Sequence, residues 1–539
     1  MTAVTEVFVR RASGLVREMS PYSAFAYNVL AIGILFPWVY LQGPAVFPAA
    51  NIALGVVICG VILVPMWYTY SWLSASMPRS GGDYVFQTRI LSGWIGFGST
   101  LMGAFMAMLY AAFAGWMFSV IGAAPMFAVW GFAANNTTLL SIANWLASPL
   151  GVIVVSLVVL VMSTYTLIRG MGAFVRVQWI LWYGLLVSIV AMIFVLLTTN
   201  INTFIQNFNE FYSWSAGIQV AGGYHQQLID SVKASGIVLD APIDWVQTLG
   251  VAAIAANSLV WAVLAVQQLG EIKGANVVKN TNFFIVGSGV FSTIVMAVLA
   301  ALVFRVGGVE FVRAASIASW NGQIEAPIQP WLGFMVSVAA KSPLLVFLIC
   351  FGFICNAYQV MHNVVIQAGR IVFAAAIDRL FPDWLSAVNP RFRSPVNMHI
   401  VLAGMIAAWI VFYNLTPVGA ISLSAAAAFM IYFALTCLSG ALFPHLKKVR
   451  GIYKASPIAN IMVGGVPWIT ITGTIGAVVS VVLLVLFMIW PELGVYNAIS
   501  LITIAGSTVI FVIYYFLRRA YMRDRGVNVE LSFRQLPPD

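Results

Sequence analysis

Long apolar stretches separated by short polar segments dominate the pattern of the chain. Twelve of these stretches have the roughly 20 apolar residues that a helix needs to cross a bilayer core about 30 Å thick. They lie near residues 22–46, 51–75, 91–121, 149–168, 173–198, 247–269, 283–304, 340–366, 396–415, 418–443, 464–490 and 494–517. The pattern predicts an all-α integral membrane protein with twelve transmembrane helices.

The composition supports a lipid-embedded chain. Hydrophobic residues make up 62% of the sequence and charged residues only 8%, whereas a soluble domain is about 25% charged. The four cysteines lie inside apolar stretches, where we expect buried small side chains rather than metal ligands or disulfides.

The basic residues predict the orientation of the chain. If the N-terminus is cytoplasmic, 22 of the 26 lysines and arginines fall on the cytoplasmic side, as the positive-inside rule requires. This distribution predicts a multi-pass protein of the cytoplasmic membrane with both termini in the cytoplasm. It also explains the net charge of +10 and leaves nucleic-acid binding without support.

The helices group into a predicted domain order. The long extracellular loop either forms a short amphipathic helix over the mouth or is a solvated connection. The predicted units are a cytoplasmic N-terminal segment at 1–21, a first set of five helices at 22–198, the extracellular loop at 199–246, a second set of five helices at 247–443, two further helices with a preceding cytoplasmic loop at 444–517, and a cytoplasmic tail at 518–539.

Two predicted helices carry interruptions near the membrane centre. The first contains Gly33 and Pro37, and the sixth contains Asn257 and Ser258. Taken singly, a proline kink or interhelical hydrogen bonds would explain each of them. Their place in the first helix of each five-helix set favours a transporter built from inverted repeats, with its site at the midplane. Broken helix ends there offer N–H groups to a carboxylate and carbonyls to an ammonium or a cation.

Three segments in predicted cytoplasmic loops carry a resemblance to a known family. MPRSGGDYVF, at 77–86, resembles the Pro-Arg-Ser-Gly-Gly-x-Tyr motif of the amino acid–polyamine–organocation (APC) superfamily. GEIKGANVVKN contains Glu271 and Lys273 of a Glu-x-x-Lys segment, although Gly-Ala replaces the usual Asn-Pro. GRIVFAAAIDRLFPDWL contains Arg370 and Asp378 of an Arg-x-x-x-Ala-x-x-x-Asp segment. The chain is therefore similar to amino acid permeases over most of residues 20–400.

The resemblance implies the leucine-transporter-type fold, which has two inverted five-helix repeats and two peripheral helices. Members move amino acids, amines or related organic cations by alternating access. The implied partners are a small-molecule substrate and the lipid bilayer; catalytic residues, metal ligands and cofactors are not implied. We also expect a cytoplasmic gate that is closed when the site faces outward. In this gate, the loop residues Arg79 and Asp83 pair with charged residues across the inner face, Arg370 and Asp378.

Alignment on the motifs places the family's substrate-binding segments on this chain. Bulky Ile34, Leu35 and Phe36 stand where the family has Gly-Ser-Gly, which predicts a small pocket for a small neutral or hydrophobic amino acid. An amine, a polyamine or a heterocycle is the alternative substrate. The predicted substrate-binding residues are Gly33, Ile34, Leu35, Phe36, Met106, Tyr110, Asn257, Ser258, Leu259, Val260 and Trp261, with Asn257–Val260 as the unwound part of the sixth helix.

The coupling ion is open between a proton and a sodium ion. Where some proton-coupled relatives carry a lysine in the fifth helix, this chain is apolar near Leu185. The eighth helix offers Asn356 and His362 as coupling candidates in place of the hydroxyls of sodium-coupled relatives. His362 either carries a proton near neutral pH or serves as a hydrogen-bonding helix residue.

Other classes of membrane protein fit the sequence less well. An intramembrane enzyme would need a nucleophile beside a base or a cluster with metal spacing, and a channel would need a selectivity filter; none is found in the sequence. A transport-inactive sensor or scaffold with the same fold is a further alternative, because a site can be lost while a fold persists.

Overall fold

A computed structural model of the protein describes residues 14–36, 38–217, 219–324, 328–416, 425–490, 493 and 498–537. Pro37, which was predicted to interrupt the first helix, lies outside the described residues. The described chain is mainly helical, with one small antiparallel hairpin of β1 (Met462–Val463) and β2 (Val466–Pro467).

The described chain contains 22 α-helices. In the first half of the chain they are α1 Pro21–Ile32, α2 Gly43–Val46, α3 Ile52–Ser76, α4 Gly82–Ile90, α5 Gly93–Trp116, α6 Ala124–Ala134, α7 Thr137–Ala147, α8 Pro149–Ile168, α9 Met171–Thr198, α10 Ile201–Ala216 and α11 Tyr224–Ala234. In the second half they are α12 Trp245–Leu259, α13 Val278–Asn282, α14 Ser288–Gly307, α15 Val309–Trp320, α16 Leu332–Ala340, α17 Pro343–Ile377, α18 Val396–Leu415, α19 Ala425–Leu442, α20 Arg450–Lys454, α21 Trp468–Ile489 and α22 Ala498–Asp524.

Other helical geometries join several of these helices. The π-helical turns are Trp38–Gln42, Met117–Ala123 and Phe283–Gly287, and the 3-10 segments are Val260–Glu271, Asp383–Leu385, Lys447–Val449 and Val529–Arg534.

The number of membrane-spanning helices can be counted within the described ranges. Ten helices there are long and apolar enough to cross a bilayer. The count rises to 11 if the bent pair Ala427–Leu442 and Lys447–Lys454 is one span. The predicted first span is absent from this count because α1, with 12 residues, ends at Ile32. The all-α, multi-pass membrane class is confirmed.

Helix α17 is the longest α-helix described, with 35 residues, and it packs against α5 and α9. Small residues permit the closest approaches, as is common where helices pack in lipid. A methyl group on Gly352 of α17 would overlap Ser188 of α9, and one on Gly115 of α5 would overlap Ser156 of α8. The first of these contacts holds α17 against α9, and the second holds α5 against α8.

The predicted loop at 199–246 is largely helical. It contains α10 and α11, which contact each other, and α11 packs on α15. The apolar face of α10 is buried through Phe204, Phe208 and Phe211. The alternative of a solvated connection is therefore wrong. The aromatic residues of this loop recur at helical spacing, and they pack against neighbouring helices.

Candidate functional site

The first helix is interrupted at the predicted glycine. Gly33 adopts a left-handed conformation, with φ +67° and ψ +52°, and α1 ends at the residue before it. Glycine suits this position because side-chain-bearing residues rarely adopt positive φ. In addition, a methyl group at Gly33 would overlap the Phe36 ring. Regular geometry is described again from Trp38 onwards.

Side chains from α17 and from the π-helical turn Trp38–Gln42 donate hydrogen bonds to two carbonyls at this break. The last carbonyls of a helix lack partners within the helix. The Asn356 Nδ2 of α17 donates to the Leu30 carbonyl at 2.7 Å, and the Tyr40 hydroxyl donates to the Ile34 carbonyl at 3.0 Å. Asn356 therefore lies at the break as a cap for α1.

The sixth helix does not unwind where the sequence predicted it to. Helix α12 stays α-helical to Leu259 and then continues as a 3-10 segment over Val260–Glu271. The prediction for Asn257–Val260 was wrong because local geometry keeps the helix intact there: the Trp261 Nε1 donates to the Asn257 carbonyl at 2.9 Å.

A residue of α1 holds the 3-10 segment. The Asn28 Oδ1 accepts a hydrogen bond from the backbone N–H of Ala265 at 2.8 Å, and the Asn28 Nδ2 donates to the Phe284 carbonyl. The irregular residue of the segment is Gln268, with φ −107° and ψ +19°. The sixth helix therefore becomes irregular at Gln268, later in the sequence than the predicted stretch Asn257–Val260.

A cavity lies between the broken first helix and the start of the 3-10 segment. Its empty volume is about 390 Å³, but it is narrow, with space for roughly one or two water molecules. None of its lining residues that the structure describes is charged. They are Ala31, Ile32, Phe36, Ala107, Tyr110, Asn257, Trp261, Leu264, Val360, Asn363, Val364 and Gln367.

Comparison with known proteins decides the family. The profile of the amino acid permease family matches residues 22–517. This protein is a member of that family. Membership places the chain in the APC superfamily and supports amino acid transport across a membrane as its function. No curated protein matches the sequence.

The permease cavity brings together four of the predicted substrate-binding residues: Phe36, Tyr110, Asn257 and Trp261. They come from three segments that are far apart in sequence. The other predicted residues belong to the same segments and are buried, but they do not line the cavity: Gly33, Ile34, Leu35, Met106, Ser258, Leu259 and Val260.

Sequence reasoning missed the contribution of α17 to this cavity. Val360, Asn363, Val364 and Gln367 all line it. Their offsets of three, four and seven residues place them on one face of a helix, so the spacing alone could have revealed them. Two polar atoms beside the cavity, Asn257 Oδ1 and Asn363 Nδ2, are buried and have no hydrogen-bond partner among the described residues.

The coupling candidate His362 lies outside the cavity. Its ring is buried and packs edge-on against Phe174 and Tyr358, at centroid distances of 5.4 and 4.8 Å. Neither ring nitrogen has a hydrogen-bond partner among the described residues. His362 sits one position before Asn363, and so faces away from the cavity-lining side of α17.

The three family-like segments converge on one face of the bundle. We call residues 77–90, 267–273 and 370–382 the motif face. Arg370 binds Glu271 through two contacts of 2.7 Å each. Arg89 Nη1 lies 2.8 Å from Asp378 Oδ2, and both of these side chains are fully buried.

These ion pairs differ from the predicted ones. Asp83 accepts hydrogen bonds from hydroxyl and amide groups rather than pairing with Arg370. Arg79 Nε donates to the Pro537 carbonyl of the C-terminal tail at 2.7 Å. The physical reason is helix α4, which the sequence did not resolve. It buries Asp83 in its first turn and presents Arg89 in its last turn to Asp378.

Proposed function

We propose that this permease is a secondary active transporter that carries small neutral or hydrophobic amino acids across the cytoplasmic membrane by alternating access. The observation that carries the proposal is the uncharged cavity beside the break at Gly33. A substrate with a net charge would lose its hydration there without meeting an opposite charge, which is costly in an apolar interior. A zwitterion with an apolar side chain fits such a cavity better.

The groups around the cavity complement a zwitterion. The carbonyl end of α1 carries a partial negative charge that favours an ammonium group. Asn257 Oδ1 is a buried acceptor and Asn363 Nδ2 a buried donor without protein partners in the described chain. Phe36, Tyr110 and Trp261 supply aromatic surface for the substrate side chain. Because the cavity is narrow, binding requires these rings to move apart.

On this proposal, the chain crosses the membrane twelve times, as two inverted five-helix repeats and two peripheral helices. The motif face is cytoplasmic, which agrees with the clustering of basic residues. The buried pairs Arg370–Glu271 and Arg89–Asp378 hold this face closed. Asn356 and His362 are kept as candidates for coupling to a proton or a sodium ion.

The test is uptake by purified permease in sealed liposomes loaded with unlabelled amino acids. A labelled panel would comprise alanine, leucine, phenylalanine, lysine, glutamate and a polyamine, with and without proton and sodium gradients. We expect saturable uptake of the neutral amino acids and at least tenfold less of the charged ones. Preferred uptake of lysine or polyamine would instead support an amine transporter.

A matched pair of variants links uptake to the cavity. Asn257→Ala removes a lining polar group, while Ile294→Ala alters a residue of α14 that is exposed on the outer surface of the bundle. We expect the first to raise the KM for neutral amino acids at least tenfold and the second to leave it unchanged. Equal effects would contradict the assignment of the cavity. Absence of uptake of every compound would leave the sensor alternative as the better description.

A further inference from the structure

Asp83 is a buried carboxyl group without a cationic partner in the described part of the chain. Its exposed fraction is 1%, and it lies at the start of α4, directly after the Gly81–Gly82 turn. A buried ionisable group inside a membrane protein is costly and commonly functional. The other buried acids of the motif face, Glu271 and Asp378, each have an arginine; Asp83 does not.

Donors from three surrounding segments hold Asp83 instead. The Tyr70 hydroxyl of α3 donates to Oδ1 at 2.6 Å, and the Thr436 hydroxyl of α19 donates to Oδ1 at 2.5 Å. The Gln267 Nε2 of the 3-10 segment donates to Oδ2 at 2.6 Å. The titratable groups that face Asp83 are Tyr70, Tyr432 and Cys437, and all three are neutral when protonated. Such a set of donors is matched to an ionised carboxylate.

Gln267 provides an alternative partner for the protonated form. Its Nε2 donates to both Asp83 and the Tyr432 hydroxyl, while its buried Oε1 has no hydrogen-bond partner among the described residues. A half-turn of this amide would present Oε1 to a protonated Asp83, which then becomes the donor. The site therefore accommodates the carboxyl group in either protonation state, with different hydrogen bonds in each.

The hydrogen bond to Gln267 ties Asp83 to the cavity. Gln267 belongs to the same 3-10 segment as the cavity residues Trp261 and Leu264. The Gln267 carbonyl also accepts from the Gly81 N–H at 2.9 Å. A bond to an ionised carboxylate is roughly twice as strong as one between neutral groups, so protonation of Asp83 weakens the hold of α4 on the segment that borders the substrate.

We propose that Asp83 is the proton-binding residue that couples protons to transport, a role that rests on the proposed function. When ionised, Asp83 holds the 3-10 segment through Gln267 and keeps the motif face closed. When it binds a proton, α4 holds the segment less strongly, and the motif face opens more readily. Arg79 and Ser80, which directly precede the Gly81–Gly82 turn, are partly exposed, so the surface of the motif face lies close to Asp83 in the sequence.

The test measures exchange of labelled leucine in liposomes at equal pH on both sides, between pH 5 and pH 8.5. For the native permease we expect the exchange rate to rise several-fold on acidification. Asp83→Asn mimics the protonated group, so its rate should be independent of pH and close to the native rate at low pH. Glu310→Gln, which removes an exposed carboxylate far along the chain, should keep the native pH profile.

A second variant keeps the proposal testable if Asp83→Asn fails to fold. Tyr70→Phe removes one hydrogen bond to the ionised carboxylate, which raises its proton affinity. The midpoint of the pH profile should therefore move upward by about one pH unit. A native pH dependence in Asp83→Asn, an unmoved midpoint in Tyr70→Phe, or loss of the pH dependence in His362→Gln alone would overturn the proposal. Failure of the native permease to exchange any amino acid would refute the proposed function instead.

Discussion

The buried ion pair between Glu271 and Arg370 allows a quantitative prediction. Its side chains are 2% and 4% exposed, and they meet in a bidentate arrangement with both distances at 2.7 Å. Glu271→Gln keeps the size of the side chain but leaves the Arg370 guanidinium without its counter-charge. Removing one partner of a buried pair costs about 3–5 kcal/mol, because the remaining charge stays desolvated.

The expected loss of thermal stability follows from chain length. Unfolding entropy is about 2.1 cal/mol/K per residue, and the chain has 539 residues. A loss of about 3–5 kcal/mol therefore lowers Tm by roughly 3–4 °C. The measurement is thermal unfolding of purified permease in one detergent, for Glu271→Gln, Arg370→Gln and the double variant. The double variant should be more stable than the sum of the single losses implies, because no unpaired charge is left.

The chain offers a matched control in the exposed pair of Lys233 and Glu310. Its nitrogen–oxygen distance of 2.8 Å resembles that of the buried pair, but the side chains are 43% and 39% exposed. Water and salt screen such pairs, which contribute little, so Glu310→Gln should leave Tm unchanged. If Glu271→Gln lowered Tm no more than Glu310→Gln does, burial would not be what makes the inner pair important, and the reasoning would be wrong.

Three further variants test the break in the first helix. Gly33→Ala should lower both Tm and uptake, because the left-handed backbone costs about 1–2 kcal/mol and the new methyl overlaps Phe36. The control is Gly404→Ala, which has open space around it and should lower neither quantity. Both variants are compared by thermal unfolding and by uptake. Asn356→Ala leaves the Leu30 carbonyl without its cap and should lower Tm through a loss of about 1–3 kcal/mol, whereas an unchanged Tm would contradict the capping role. Phe36→Ala enlarges the cavity and should improve competition by larger apolar amino acids; a competition series with unaltered order would argue against Phe36 as a size limit.

The sequence was most informative where one residue decides the local backbone. Gly33 marks the end of α1 because few other residues tolerate positive φ, so the break was predictable from position alone. The sixth helix was different, since the course of its 3-10 segment depends on Asn28 from another helix, which binds the Ala265 N–H. Contacts between distant segments leave no local signal, and the unwound stretch was therefore misplaced.

For the cytoplasmic gate, too, the sequence predicted which residues take part better than it predicted which of them pair. The sequence analysis named Arg79, Asp83, Arg370 and Asp378 as gate residues, but it did not name Arg89 and it predicted other pairings. Arg89 takes Asp378 because α4 turns it toward the end of α17. Asp83, six residues earlier, is buried among hydroxyl and amide donors. The sequence can indicate which charged residues belong to the motif face, whereas the direction of the short helix α4 decides which of them form ion pairs.

The 3-10 segment Val260–Glu271 borders the cavity at one end and contacts the motif face at the other. Runs of this geometry beyond three or four residues are uncommon; this segment has 12 residues and is interrupted by a kink at Gln268. Three neighbours hold it, through Asn28 at Ala265, Asp83 at Gln267 and Arg370 at Glu271. A 3-10 helix rises about 2.0 Å per residue and an α-helix about 1.5 Å. On the proposed function, reversion of the regular part, Val260–Gln267, to α-helical geometry would shorten it by about 4 Å, and this part lies between the cavity residue Trp261 and the Asp83 contact at Gln267.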